Sequence, residues 1–238
     1  MRFLTVALFV AFSLVPEILP AQSTSGIPGY IRIPSASLNP DGTFYIGTSF
    51  LPRKYLAYTN YKYDAATAFV SVTFLPFLEV DFRFTRQLGL PDYSNHVSDR
   101  MPSVRARVVK ERKWWPSVTI GVHDFITSLE GGRARHFESS YLVMTKGFFI
   151  GKTGLYAEGT IGYGTNWLLS RNYELLGLWG GISMYWQRIP WLVLMADHDG
   201  KVISAGAEAL LFRHLGIKAG LVNGDSFTGC LSYRIFLK

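Results

Sequence analysis

From about residue 42 onward the chain is a succession of segments near ten residues long, each alternating apolar and polar side chains and each closed by Gly, Pro, Asn or Asp. A two-residue period sends successive side chains to opposite faces of an extended strand, so every such segment has one oily face and one wet face. Twelve segments can be delimited, over 43–51, 66–75, 78–86, 102–111, 117–126, 137–147, 153–163, 177–187, 191–198, 202–211, 214–222 and 226–237. Odd-numbered gaps such as 52–65, 87–101 and 164–176 are long, and 127–136 is moderate. Pro76-Phe77, 112–116, 148–152 and 188–190 are short. The contrast fades at Asp199-Gly200-Lys201 and Asn223-Gly224-Asp225, which are themselves tight turns.

Short turns alternating with longer loops are the connectivity of an outer-membrane barrel, whose strands of about 9–11 residues cross the bilayer at a tilt. The expected fold is therefore all-β: an antiparallel transmembrane β-barrel of about 12 strands over 42–238, with both termini periplasmic, in the outer membrane of a Gram-negative bacterium. The faces follow from the alternation. Val80, Phe82 and Phe84 oppose Asp81, Arg83 and Thr85, and Val104, Ala106 and Val108 oppose Ser103, Arg105 and Arg107. Leu215, Ile217, Ala219 and Leu221 oppose Lys218, and Leu231, Tyr233, Ile235 and Leu237 oppose Ser232 and Arg234. A soluble β-sandwich with one wet face would alternate too, but it does not call for the long and short rhythm. Aromatics near strand ends, among them Tyr55, Tyr58, Tyr61, Tyr63, Trp114, Trp115, Trp167, Trp186, Trp191 and Phe236, suit two interfacial girdles.

The first 21 residues read as a secretory signal, with Arg2, an apolar stretch from Phe3 to Val15 and a cut expected after Ala21. Residues 22–41 differ from everything after them. Three prolines and little alternation rule out a central strand, and the segment is expected either to hang in the periplasm or to fold back as a plug. Export makes nucleic acid an improbable partner for the net charge of +7, leaving outer-membrane lipid, lipopolysaccharide or an anionic polysaccharide. Cys230 is the only cysteine, so no intramolecular disulfide holds the chain.

The wet face contains Asp81, Arg83, Arg105, Arg107, Glu158, Glu208, Lys218 and Arg234. Both signs are present, so the set suits a mutually paired lumen or the lining of a passage for an anionic glycan. Arg83, Arg105, Arg107, Lys218 and Arg234 are the candidate ligand contacts, since cations offer donors to carboxylate or sulfate groups. His123-Asp124 and Asp197-His198-Asp199 are the places where acids and bases cluster. Neighbours on a strand face opposite ways, so neither makes a catalytic site alone, and the second reads as a polar hairpin. No catalytic residue, metal site or cofactor is expected. Gly159-Thr160-Ile161-Gly162-Tyr163-Gly164 opens no helix and is no phosphate loop; its glycines suit a bend or the close approach of another element.

Residues 99–147 carry Asp99-Arg100, Pro116, Gly121 through Asp124-Phe125, and Ser139, Tyr141, Val143 and Lys146 in that order. This succession resembles the core of the YjbH-like exopolysaccharide family of outer-membrane β-barrel proteins. GIPGYIRIPSASLNPDGT, ADHDGKVISAGAEA and GDSFTGCLSYRIFLK add to the likeness. The resemblance implies a role in exopolysaccharide production or export; with the charged inner face it leads to the expectation of a porin-like, non-enzymatic barrel, for which periplasmic export proteins are candidate partners. A filled structural barrel anchoring a periplasmic partner is the alternative, and an outer-membrane lipid or glycan hydrolase stands behind both.

Overall fold

A computed structural model of the chain describes residues 20–56, 62–89, 98–125, 138–165 and 174–237. They form a closed antiparallel barrel of twelve strands in simple up-and-down order. The strands are β1 (Thr43–Leu51), β2 (Ala65–Leu75), β3 (Leu78–Gln87), β4 (Ser98–Val109), β5 (Ser117–His123), β6 (Ser139–Ile150), β7 (Leu155–Thr165), β8 (Gly177–Trp186), β9 (Ile189–His198), β10 (Ile203–Leu211), β11 (Leu215–Val222) and β12 (Ser226–Phe236). Closure is made by β1 against β12, in a register running from Thr43 opposite Phe236 to Phe50 opposite Gly229. A closed ring has no free edge, so every wall strand finds its backbone partners within the wall.

The alternation read from the sequence sorts the side chains. Ile46, Phe82, Ile120, Leu142, Ile161, Leu178, Ile182, Leu194, Ile217, Leu221 and Leu231 are exposed on the outside, all around the circumference. Asp81, Arg83, Ser103, Arg105, Thr119, Asp197, Glu208, Lys218 and Arg234 are buried inside. Apolar outside and polar inside is the reverse of a water-soluble domain.

Turns and loops separate to opposite ends. The β2–β3, β8–β9 and β10–β11 connections are short, whereas those after β1, β3, β5 and β7 are long. The end with the short turns also holds the start of β1 and the end of β12. Exposed aromatics concentrate there, with Phe74, Phe77, Trp114, Trp115, Phe148, Trp186 and Phe212 on or near the rim. Two residues expected in the girdles do not belong to them. Trp191 and Phe236 share the strand parity of Asp197 and Arg234, which places both on the lumen side. Tyr55 sits over the opposite mouth, donating to Asp225 at 2.9 Å. Tyr58, Tyr61 and Trp167 lie outside the described residues.

Candidate functional site in the barrel lumen

Residues 20–41 run inside the barrel. Pro28, Pro34 and Pro40 fix φ and lack an N–H, so this stretch cannot join the wall and instead bends on itself. Isolated bridges pair Gln22 with Pro28 and Gly29 with Pro34. A β-carbon on Gly29 would stand 2.1 Å from the Ile33 carbonyl oxygen, so only glycine permits that turn. Thr24 N–H donates to Ile31 O at 3.0 Å, Tyr30 N–H to Ile33 O at 2.9 Å and Ser35 N–H to Pro28 O at 2.9 Å.

The remaining backbone groups must be met by the wall, because a buried unpaired peptide group is costly. Arg105, wholly buried on β4, donates to Pro28 O (3.2 Å), Ser35 O (2.5 Å) and Ser37 O (3.1 Å). It also lies 3.4 Å from the Glu79 carboxylate on β3. Lys218 on β11 donates to Gln22 O and, at 2.6 Å, to Tyr30 O, with Glu208 3.1 Å away. Thr119 and Ser117 hydroxyls donate to Ala36 O at 2.7 and 3.0 Å. Ala36 N–H donates to Thr145 Oγ1 at 2.7 Å, and Ser49 hydroxyl donates to Thr24 O at 2.6 Å. Carboxylates meet the donors: Asp197 Oδ2 accepts from Ile31 N–H (2.6 Å) and Arg32 N–H (2.9 Å), and Glu79 accepts from Asn39 Nδ2 (3.1 Å).

The other flank of the plug is apolar. Tyr30, Ile31, Ile33 and Ala36 pack with Tyr141, Val143, Leu175, Trp179 and Met195 of the wall and the β7–β8 connection. Trp179 lies over Gly162, where a β-carbon would stand 2.2 Å from its ring, so this glycine of β7 serves the close approach its sequence suggested. Two of the cavities left beside the plug are small: one of about 20 Å3 near Arg32, Tyr55 and Arg83, and one of about 40 Å3 near Tyr30, Tyr156 and Glu158. Each holds a few waters at most. Residues 22–39 are thereby largely withdrawn from solvent, and their side chains are largely closed to a partner in this state.

The path of the plug has a consequence for how it can move. Ala21 lies beside Tyr156 and Tyr185, near the short-turn ends of β7 and β8. The Arg32 guanidinium reaches Tyr55 O and Asp199 Oδ2 (2.6 Å), both in connections at the opposite end. Asn39 is back against Glu79, and Gly42 N–H donates to Thr73 O, next to the β2–β3 turn. The plug is thus a hairpin that enters and leaves through one mouth, so it can withdraw without threading the barrel. At its tip, burial acts to raise the Asp199 carboxyl, but Arg32 and the N–H groups of Val202 and Lys201 outweigh it and hold its pKa below the usual value.

The five cations proposed as ligand contacts are distributed as follows. Arg105 and Lys218 are engaged by the plug backbone. Arg83, buried on β3, has Nη2 3.4 Å from Glu174 and 3.1 Å from Met101 Sδ. Arg234 lies over the Tyr45 ring at 4.8 Å from its centroid. Arg107 is half-buried at the short-turn rim and donates to Pro76 O. Four of the five therefore share the lumen, where Arg105 and Lys218 hold the plug and Arg83 and Arg234 meet side chains of the wall and of the β7–β8 connection.

Asp197 and Asp199, read from sequence as a hairpin, are receptors for the plug tip. Their i, i+2 spacing, which puts both on one face, is the signal that could have identified them. His123 packs edge-on against Tyr141 with ring centroids 5.1 Å apart, and neither ring nitrogen has a hydrogen-bond partner among the described residues.

Comparison with known proteins identifies one family. The model of the family YjbH, described as "Exopolysaccharide biosynthesis protein YbjH", matches residues 21–173, which take in the plug and β1 to β7. No curated protein matches the chain.

Proposed function

The chain belongs to the exopolysaccharide biosynthesis family YjbH, and from that membership we propose that it is a non-enzymatic outer-membrane barrel serving exopolysaccharide production or export. In this reading its lumen is stoppered at rest by residues 22–41 and becomes a passage only when they withdraw. The observation that carries the reading is the hairpin path of the plug inside a barrel with an apolar exterior and a polar lumen. An apolar belt around a closed antiparallel barrel suits a bilayer, and the end bearing the short turns, both barrel termini and the aromatic rim suits the periplasmic side. A signal removed after Ala21 would leave the new terminus at that same mouth. Acid–base chemistry has little support in His123, which is buried against Tyr141 with no nucleophile bonded to it among the described residues.

Planar bilayer recordings test the proposal. The chain carrying 22–41 is expected to be electrically silent, and the chain lacking 22–41 to give discrete conductance steps blocked by anionic oligosaccharides. A steady open current from the intact chain would overturn the stopper. Silence from the deleted chain, still heat-modifiable on a gel, would overturn the passage and favour a filled barrel that anchors periplasmic export proteins.

A further inference from the structure

One group of lumen residues takes no part in the hydrogen bonds that hold the plug. Phe149 of β6 pairs directly with Tyr156 of β7, Tyr156 with Tyr185 of β8, and Tyr185 with Val193 of β9. Directly paired residues share a face, and this is the lumen face, because Glu158 and Thr160, in step with Tyr156 along β7, meet the Tyr30 hydroxyl of the plug. The three rings form a row in which Phe149 stands edge-on to Tyr156 (centroids 5.1 Å apart, planes at 70°) and Tyr156 is tilted by 34° against Tyr185 at 5.0 Å, so that the half-exposed Phe149 ring offers a face and the tyrosines wall it. The row grades from Tyr185, 8% exposed, to Phe149, 54% exposed at the mouth. An outward aromatic at this level would have an interfacial role. These point inward, where the mouth is open to water and an apolar ring has nothing to gain from solvent.

The geometry points to a carbohydrate subsite: we propose that this row, at the short-turn mouth, stacks one pyranose unit of the exopolysaccharide, and the inference rests on the family reading above. A pyranose offers an apolar C–H face bounded by hydroxyl groups. Aromatic faces take up the first, and a carboxylate and a hydroxyl serve the second. Glu158 and Ser183, themselves paired across β7 and β8, supply those one level deeper. The platform is held in place, since the Tyr156 hydroxyl occupies the space a side chain at Gly147 would need, its oxygen 1.7 Å from the β-carbon position. Ligand sites in barrels favour such mouths, with aromatic walls and a few placed polar groups. Pro20 and Ala21 line the adjoining cavity of about 40 Å3, and both lie on the signal side of the expected cut, so processing after Ala21 merges the space they fill with the cleft.

The test uses the chain beginning at Gln22, purified in detergent, titrated calorimetrically with neutral hexaoses (cello-, malto- and chito-series) and with oligogalacturonate. At least one is expected to bind. Phe149→Ala and Tyr156→Ala should each weaken it tenfold or more, Tyr156→Phe should preserve it, and all should stay heat-modifiable. The chain retaining Pro20 and Ala21 should bind more weakly. Failure of every sugar to bind, or unchanged affinity in Phe149→Ala, which is half in solvent and keeps the barrel folded, would overturn the subsite. The conductance results would be untouched by that outcome, so the two readings fail separately.

Discussion

Replacing Lys218 by Met while converting Glu208 to Gln should loosen the plug and leave the wall intact. Lys218→Met alone would strand the Glu208 carboxylate inside the barrel, a penalty of about 3–5 kcal/mol that falls on the whole fold. With Glu208→Gln that charge is gone. What is then lost is specific: two charge-assisted hydrogen bonds from Nζ to the carbonyls of Gln22 and Tyr30. Such bonds contribute ~1.5–3 kcal/mol each, and water entering the site returns part of this, so docking weakens by roughly 3 kcal/mol. At about 1.4 kcal/mol per tenfold, the undocked population rises on the order of a hundredfold. Hydrogen exchange in detergent reads it directly. The amides of Thr24, Tyr30 and Ser35, which donate to plug carbonyls, should exchange faster by that factor. Wall amides of β10 and β11 should keep their protection. Unchanged exchange at those three amides, or loss of heat-modifiability by the double variant, would refute the assignment of Lys218 as a plug anchor.

Ile31→Ala removes a fully buried side chain whose tip lies near Gly206 and Gly220. It should cost ~2–5 kcal/mol of plug docking, seen as faster proteolysis within 22–41 with no change in the barrel band. Ser49→Cys would face Cys230 directly across the β1–β12 seam, within the ~4.4–6.8 Å Cα range that a disulfide spans. Mild oxidation should give a faster-migrating band on a denaturing gel, and absence of the cross-link would contradict closure of the barrel in this register. The Arg32–Asp199 latch should hold from neutral to mildly acid pH. Because the folded pKa of Asp199 is lowered, the latch's contribution is complete above the unfolded value of about 3.9 and is lost only as pH falls through the folded value beneath it. Asp199→Asn at neutral pH should accordingly lower protection of the Thr24 amide, which is bonded to Ile31 O beside the latch, and leave the amides of β1 and β12 unchanged.

The wall was legible because its strands repeat one instruction: Leu215, Ile217, Ala219 and Leu221 point out, and Gly216, Lys218 and Gly220 point in. It blurred where that instruction lapses. β6 continues through Phe148-Phe149-Ile150 to residue 150, beyond the expected 147, because Phe149 joins the inward aromatic row while its neighbours face out. The prolines of 22–41 excluded a wall strand but could not say where the segment lies, since its partners come from at least seven strands. Ser49, Glu79, Arg105, Thr119, Thr145, Asp197 and Lys218 become neighbours only once the barrel has closed. The same fact limits what a charged lumen can say about function. Arg105 and Lys218 look alike in sequence whether they face a glycan or the chain's own carbonyls, and both offer donors at the same positions. What distinguishes the cases is a segment ahead of the first strand with too few backbone donors to form a strand and too many apolar residues to remain in water. Ile27, Ile31 and Ile33 beside Pro28 and Pro34 meet that description, and a barrel carrying such a segment should be examined as a stoppered one before its lumen cations are assigned to a ligand.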